Sequence, residues 1–280
     1  MKGSAVVPKR NGMEISGPAV ALTIAGLDPS GGAGVIADVR TFAAFGCFAT
    51  AAITSLTFQN TTGVFGAVNQ TPETVRAQVL PIVEDFKVAC AKTGMLPTRE
   101  IISEVARLFR ETALPAPVVD PVMRATSGDD LIDDDAVESL ISELFPLAVV
   151  ITPNIPEAER LTGLTITNEP AMRVAAMIIR GMGARAVLIK GGHLAGIERN
   201  AIDVLDNEGL ITVFADEMIA GGEVHGSGCT LSAAIAAGLG NGQDLEEAIR
   251  SAKSFVTESI RHSPRLGRGA RPLYNDLRHA

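Results

Sequence analysis

The sequence predicts an α/β fold in three layers, a mainly parallel central sheet with helices on both faces. Three observations lead there. Apolar runs of strand length alternate with helical patterns from Ala19 to about Arg261. Most of these runs are β-branched and continuous rather than alternating, which is how strands covered on both faces read. No stretch between them reads as a linker, an internal repeat or a low-complexity tract, so residues 19–280 are expected to form one domain behind a loose polar extension, Met1–Pro18.

The strands expected in order are Ala21 to Ala25, Ala49 to Phe58, Val88 to Thr93, Val118 to Asp120, Val149 to Thr152, Val187 to Lys190, Ala201 to Leu205 and Ile211 to Ala215. Start signals mark the helices between them. Pro72-Glu73 opens one, Asp133 to Asp135 places carboxylates at the positive end of another, and Pro156-Glu157 opens a third. Asn207-Glu208-Gly209 carries hairpin chemistry and joins the last two strands at a sheet edge. Leu231 to Leu239, small and apolar throughout, reads as a buried helix.

Bulk composition narrows the function classes. Lys plus Arg number 24 against 32 Asp plus Glu, a net charge of −8, which argues against nucleic acid and against an anionic membrane surface as partners. Cys47, Cys90 and Cys229 lie far apart with no CxxC pair, so neither a zinc ribbon nor a disulfide framework is indicated, and the composition suits a reducing cytoplasm. No segment reaches transmembrane length, and the N-terminus lacks the apolar core of a signal peptide.

In open parallel sheets ligands bind beyond the C-terminal strand ends, so residues just after each apolar run are the candidates. His225-Gly226-Ser227-Gly228-Cys229 precedes the buried helix, and its glycines let amides turn toward one point where the helix adds free N–H groups and its positive dipole end. That is an anion hole, with the Cys229 thiol in its mouth and expected to shift toward thiolate. Gly26 to Gly34 follows the first strand and runs into a helix carrying Asp38. It matches neither GxGxxG nor GxxxxGK[ST], so a dinucleotide fold and a P-loop lose support.

Gln59 ends the second strand, and its carboxamide complements an aminopyrimidine edge. Asp120 sits at a strand end before Pro121, and Asn154 and Glu157 stand three apart across a helix start. Asp120 and Glu157 suit magnesium arriving with a nucleotide, although either could be a helix-cap group. Lys190-Gly191-Gly192-His193 places a cation before two glycines, suited to holding a polyphosphate against backbone amides. Cys47, Cys90 and most methionines are assigned to the core, and His262 and His279 to solvent. The run from Ser263 to Ala280 is either a frayed tail or a loop closing over a phosphate.

With these pieces in place the chain resembles the hydroxymethylpyrimidine/phosphomethylpyrimidine kinases of thiamine biosynthesis, in the ribokinase-like superfamily. The likeness rests on ALTIAGLDPSGGAGVIADVRTF from Ala21, TFQNTTGV from Thr57, AKTGM from Ala91, VVDPVM from Val118, ITPNIPEAE from Ile151, LIKGGH from Leu188 and HGSGCTLSAAIAAGL from His225, in order along almost the whole chain. It implies ATP-dependent phosphorylation of 4-amino-5-hydroxymethyl-2-methylpyrimidine and then of its monophosphate. By that resemblance the pyrimidine lies near Gly26, Ala33, Asp38, Gln59, Met95 and Val122, and the nucleotide phosphates near Asn154, Lys190 and the His225 to Cys229 loop, including Ser227. Magnesium lies near Asp120 and Glu157. Cys229 takes the place of the aspartate base of related sugar kinases, with Gly226 and Gly228 shaping the hole around it.

Leu27 and Thr57 depart from the family's usual residues, as does the segment Leu266 to Pro272. A homodimer is expected by analogy. With no Trp and one Tyr, aliphatic walls are expected around the adenine. Two other readings stand beside this one, a pyridoxal-type vitamin kinase of the same fold and a catalytically silent pyrimidine-binding protein.

Overall fold

A computed structural model describes residues 17–124, 128, 131–192, 200–219 and 224–274. Residues 1–16 of the expected extension, Met1–Pro18, lie outside the described residues, as do His193, His279 and the end of the C-terminal run. Among the described residues nine strands form one sheet in the order β3-β2-β1-β4-β5-β6-β7-β8-β9. The strands are β1 (Val20–Leu27), β2 (Phe48–Asn60), β3 (Gly63–Asn69), β4 (Val88–Thr93), β5 (Val118–Val119), β6 (Val150–Ile151), β7 (Ala186–Lys190), β8 (Asn200–Asn207) and β9 (Leu210–Glu217). From β2 to β7 the pairing is parallel, and an antiparallel hairpin closes each edge. The mainly parallel sheet and the turn at Asn207 to Gly209 agree with the sequence. Glu208 and Gly209 take φ of 53° and 94°, the left-handed pair that a two-residue hairpin needs.

Strand β3 was not expected. Its seven residues, GVFGAVN, hold two glycines and bury no side chain, so they lack the apolar run that marks a covered strand. It exists because it pairs with β2.

Helices α2 (Pro72–Asp85), α3 (Arg99–Glu111), α4 (Asp134–Ser139), α5 (Ile155–Thr162) and α6 (Glu169–Gly181) pack one core on one face of the sheet. Helix α1 (Gly34–Ala44) packs on the opposite face with α7 (Ser227–Gly240) and α8 (Leu245–Arg261). Helix α7 is apolar all round because it is sandwiched between the sheet and its two neighbours. Gly240 permits its close approach to β4, since a Cβ there would lie 2.6 Å from Cys90 Sγ. Local chemistry fixes the helix starts. Reciprocal capping boxes open α5 (Asn154, Glu157) and α8 (Asp244, Glu247), each satisfying N–H groups that would otherwise lack partners.

The α1/α7/α8 face shows a pattern that places the site. Each central strand turns from an apolar to a polar residue two positions on: Ala21 to Thr23, Cys90 to Lys92, Val118 to Asp120, Val150 to Thr152, Leu188 to Lys190, and Leu205 back to Asp203 on antiparallel β8. Side chains two apart in a strand share a face, so these polar groups form one row across the sheet beneath the starts of α1 and α7.

The C-terminal segment is described through Tyr274. Strand β11 (Arg271–Pro272) pairs with β10 (Val224–His225), and the amides of Gly269 and Ala270 bond to Thr61 at the β2–β3 turn. The departure from the family ending therefore lies in a segment that bridges the hairpin and the lead-in to α7.

Candidate active site

The starts of α1 and α7 face one cavity of about 830 Å³ at the C-terminal strand ends. Gly226 takes φ of 88° as the residue before α7, and a Cβ there would overlap the Gly32 carbonyl oxygen. Only glycine satisfies both conditions. Gly34 has φ of 58° and no room for a Cβ beside the Gly26 carbonyl oxygen, and its amide at the start of α1 favours the thiolate form of Cys229. The two glycine-rich loops are further joined by Asp28. Its carboxylate accepts from Ser30 N at 2.8 Å, Ser30 Oγ at 2.7 Å and Ala33 N at 2.9 Å, and meets His225 Nε2 at 2.9 Å. Burial pushes the Asp28 carboxyl up, and the bonds to His225 and Ser30 outweigh it, leaving the pKa below its usual value.

Gly26, Ala33, Gln59, Met95, Val122, Asp120, Asn154, Glu157, Lys190, His225, Gly226, Ser227, Gly228 and Cys229 all line this cavity. Asp38 does not. It is wholly buried under the cavity floor, where Lys92 Nζ donates to its two oxygens at 2.9 and 2.8 Å and Thr23 Oγ1 donates at 2.6 Å. The expected substrate contact at Asp38 is thus corrected to an ion pair with Lys92, itself a cavity-lining residue to which the sequence assigns no role. Burial works against the Lys92 ammonium, but Asp38, Cys229 and Asp120 around it raise its pKa.

Asp120 accepts from Lys190 Nζ at 2.8 Å, Thr152 Oγ1 at 3.2 Å and Ser232 Oγ at 3.2 Å. Burial raises its pKa, and Lys190 and Lys92 more than reverse this, so it is held below the usual carboxylate range. Glu157 goes the other way. Burial and the neighbouring Asp120 charge push it from 4.5 up to about 7, against the pull of Lys190 and the amides of Asn154 and Met123. Glu157 does act as a helix-cap group, exchanging hydrogen bonds of 2.8 Å in each direction with Asn154 at the start of α5, and both residues line the cavity.

Two further expectations need correction. Burial lifts the Cys229 thiol from 9.0 to about 11, overcoming Lys92 and the Gly34 amide, so the free protein holds a thiol where the helix N-terminus alone suggested thiolate. The Gly191 amide is not available to a phosphate, because it donates to Asp203 Oδ1 at 3.0 Å. Gln59 has part of its donor capacity used by Thr57, whose hydroxyl accepts Gln59 Nε2 at 2.6 Å and donates to Leu27 O at 2.8 Å. The unusual Thr57 therefore orients the carboxamide.

Thr23, Thr152, Ser232 and Lys92 were missed. Their signal was present as the polar residue two places beyond an apolar one within each strand or, for Ser232, one turn into α7.

A family model described as phosphomethylpyrimidine kinase matches residues 28–274. The hydroxymethylpyrimidine/phosphomethylpyrimidine kinase of Rhizobium meliloti (strain 1021) is 45% identical over 260 residues, 92% of this chain and 97% of that protein. The thiamine biosynthesis bifunctional protein ThiED of Geobacter sulfurreducens is 44% identical over 256 residues, 91% of this chain, which spans 52% of that longer protein. Among solved structures, Bacillus subtilis pyridoxal kinase in an ADP complex superposes with a TM-score of 0.83 at 37% identity, covering 91% of this chain and 96% of that one. Phosphomethylpyrimidine kinase from Clostridium difficile 630 gives 0.76 at 40%, covering 86% and 99%. Sheet order, paired glycine loops and these matches agree: the chain belongs to the phosphomethylpyrimidine kinase family, with its ribokinase-like fold.

Proposed function

We propose that the chain transfers phosphoryl groups from ATP to 4-amino-5-hydroxymethyl-2-methylpyrimidine and then to its monophosphate, for thiamine biosynthesis. The observation that carries this is the convergence of the α1 and α7 N-termini on Cys229, beside the Asp120–Lys190 pair, in one cavity. The cavity is within the usual size range of small-ligand sites. Gly26, Met95 and Val122 would offer a mostly apolar bed for a flat ring, with Gln59 and the Ala33 loop at its edges. Asn154, Lys190, His225 and Ser227 would meet the nucleotide phosphates.

In this reading the amides from Gly226 to Gly228 and the Lys190 ammonium neutralise charge on the transferring group. Cys229 takes the proton of the substrate hydroxyl in the first step. The second acceptor, a phosphate, is already ionised and needs no base.

Magnesium fits the residues present. Asp120 and Glu157 both border the cavity, and among the described residues no group of three or more His, Cys, Asp or Glu could hold a metal alone. Two carboxylates suit an ion that arrives on the nucleotide and keeps waters. When bound it would offset phosphate charge.

Residues 19–280 are read as one kinase domain, supported by a single sheet whose strands span residues 20–217. A cytoplasmic setting is supported by three cysteines outside any disulfide, and no helix of the described residues is long and apolar enough to cross a membrane. Exposed Leu56, Phe58, Phe65 and Val68 on the β2–β3 hairpin support a homodimer, which sedimentation velocity reads directly.

The likeness to pyridoxal kinases favours one second reading, phosphorylation of pyridoxal. ADP release measured with hydroxymethylpyrimidine, its monophosphate and pyridoxal under identical conditions separates the two. Turnover of both pyrimidines with the higher kcat/KM supports the proposal, and a higher value for pyridoxal overturns it.

A further inference from the structure

The mechanism uses Lys190 and Asp120 but not the ion pair beside them. Asp203 stands directly opposite Lys190 in the antiparallel β7–β8 pair, where facing side chains share a face with Cβ atoms about 4.5–5.5 Å apart. That face is the one α7 and α8 cover. Lys190 Nζ lies 3.1 Å from where a Cβ on Gly228 of α7 would be, and Asp203 Oδ2 accepts Lys253 Nζ of α8 at 2.6 Å. Asp203 Oδ1 accepts the Gly191 amide at 3.0 Å. The side chains of Lys253 and Asp203 are 11% and 7% exposed, too buried for water to screen them well.

The charges therefore alternate along the row, Asp38, Lys92, Asp120, Lys190, Asp203, Lys253, and the cavity opens over its middle. Each carboxylate has its own ammonium at 2.6 to 2.8 Å. Take away Lys253, and a buried carboxylate is left unpaired across the strand pair from a flexible lysine. Leaving it uncompensated is costly, so the nearest movable cation would be drawn to it. That cation is Lys190.

We propose that Lys253 and Asp203 are positioning residues for nucleotide binding. By neutralising Asp203, Lys253 keeps the Lys190 ammonium on Asp120 at the cavity wall, while Asp203 fixes the backbone just after Lys190 through the Gly191 amide. The proposal rests on the reading that Lys190 meets the nucleotide phosphates.

The test uses the full chain and titrates ADP calorimetrically without pyrimidine, alongside steady-state kinetics. Lys253→Met should weaken ADP binding and raise KM for ATP by about tenfold or more, while KM for the pyrimidine stays within about twofold. Asp203→Asn combined with Lys253→Met should restore ADP affinity to within about threefold of wild type, because the competing charge is gone and the amide oxygen still accepts from Gly191. Should Lys253→Met fail to fold, Asp203→Asn alone serves, with near-normal ADP affinity expected. Unchanged ADP binding in Lys253→Met, a double variant as weak as the single one, equal losses for both substrates, or a tenfold loss in Asp203→Asn overturns the proposal. Wild-type protein that binds ADP yet phosphorylates no pyrimidine would sink the functional reading and leave this one standing.

Discussion

Cys229 shows how far burial can override a local rule. A thiol at a helix start is expected to ionise easily, but removal from water outweighs the Lys92 charge and the Gly34 amide and lifts it to about 11. As a base it must be thiolate, and below its pKa that fraction grows about tenfold per pH unit. The kcat/KM of the first phosphorylation should therefore rise with pH across the neutral range, and that of the second should lack this slope. Cys229→Ala should lower the first phosphorylation by about 10²- to 10⁴-fold, abolish the slope, and spare the second. Equal losses in both steps would mean that the sulfur shapes the hole without moving a proton.

At the scale of elements, the start of α7 depends on Gly226 more than on any side-chain cap, since no side chain caps this helix. Alanine there would meet left-handed strain of about 1–2 kcal/mol and, in addition, overlap with the Gly32 carbonyl. The overlap is the larger effect because it involves two backbones. Gly226→Ala should thus push the α1 and α7 loops apart and reduce both phosphorylations by a similar factor, about 10²-fold or more, with far-UV circular dichroism unchanged. That parallel loss contrasts with the split expected for Cys229→Ala. The strands and caps were legible because their causes are local: continuous β-branched runs, Pro at helix starts, Asn-Glu-Gly at the hairpin. Strand β3 was illegible because its pairing with β2, not its own composition, makes it a strand.

For the molecule as a whole, burial of Glu157 beside the charged row sets a dependence of stability on pH. Glu157 titrates near 7 in the folded chain against 4.5 in the unfolded one, so the native state holds the extra proton between those values. Its contribution is complete below 4.5 and is lost as pH rises through about 7. Urea midpoints without ligand should show that Glu157→Gln is destabilised less, relative to wild type, at pH 7.5 than at pH 5, because its neutral amide escapes that loss. A variant that tracks wild type in parallel at both pH values would remove Glu157 as the source. Magnesium held at Glu157, as proposed, would compete with the same proton, so its effect on stability should strengthen above neutrality.

The sequence alone determined the succession of apolar runs along the chain, the glycine loops at their ends and a set of candidate residues that, Asp38 apart, all line the cavity, since hydrophobic periodicity and backbone sterics act between near neighbours. Only the tertiary structure decided which charges pair and which groups ionise. Asp38 with Lys92, Asp120 with Lys190 and Asp203 with Lys253 are 54, 70 and 50 residues apart, so no local pattern joins them. The protonation of Cys229 and Glu157 likewise follows from how far packing withdraws each from water, which is a property of the assembled layers.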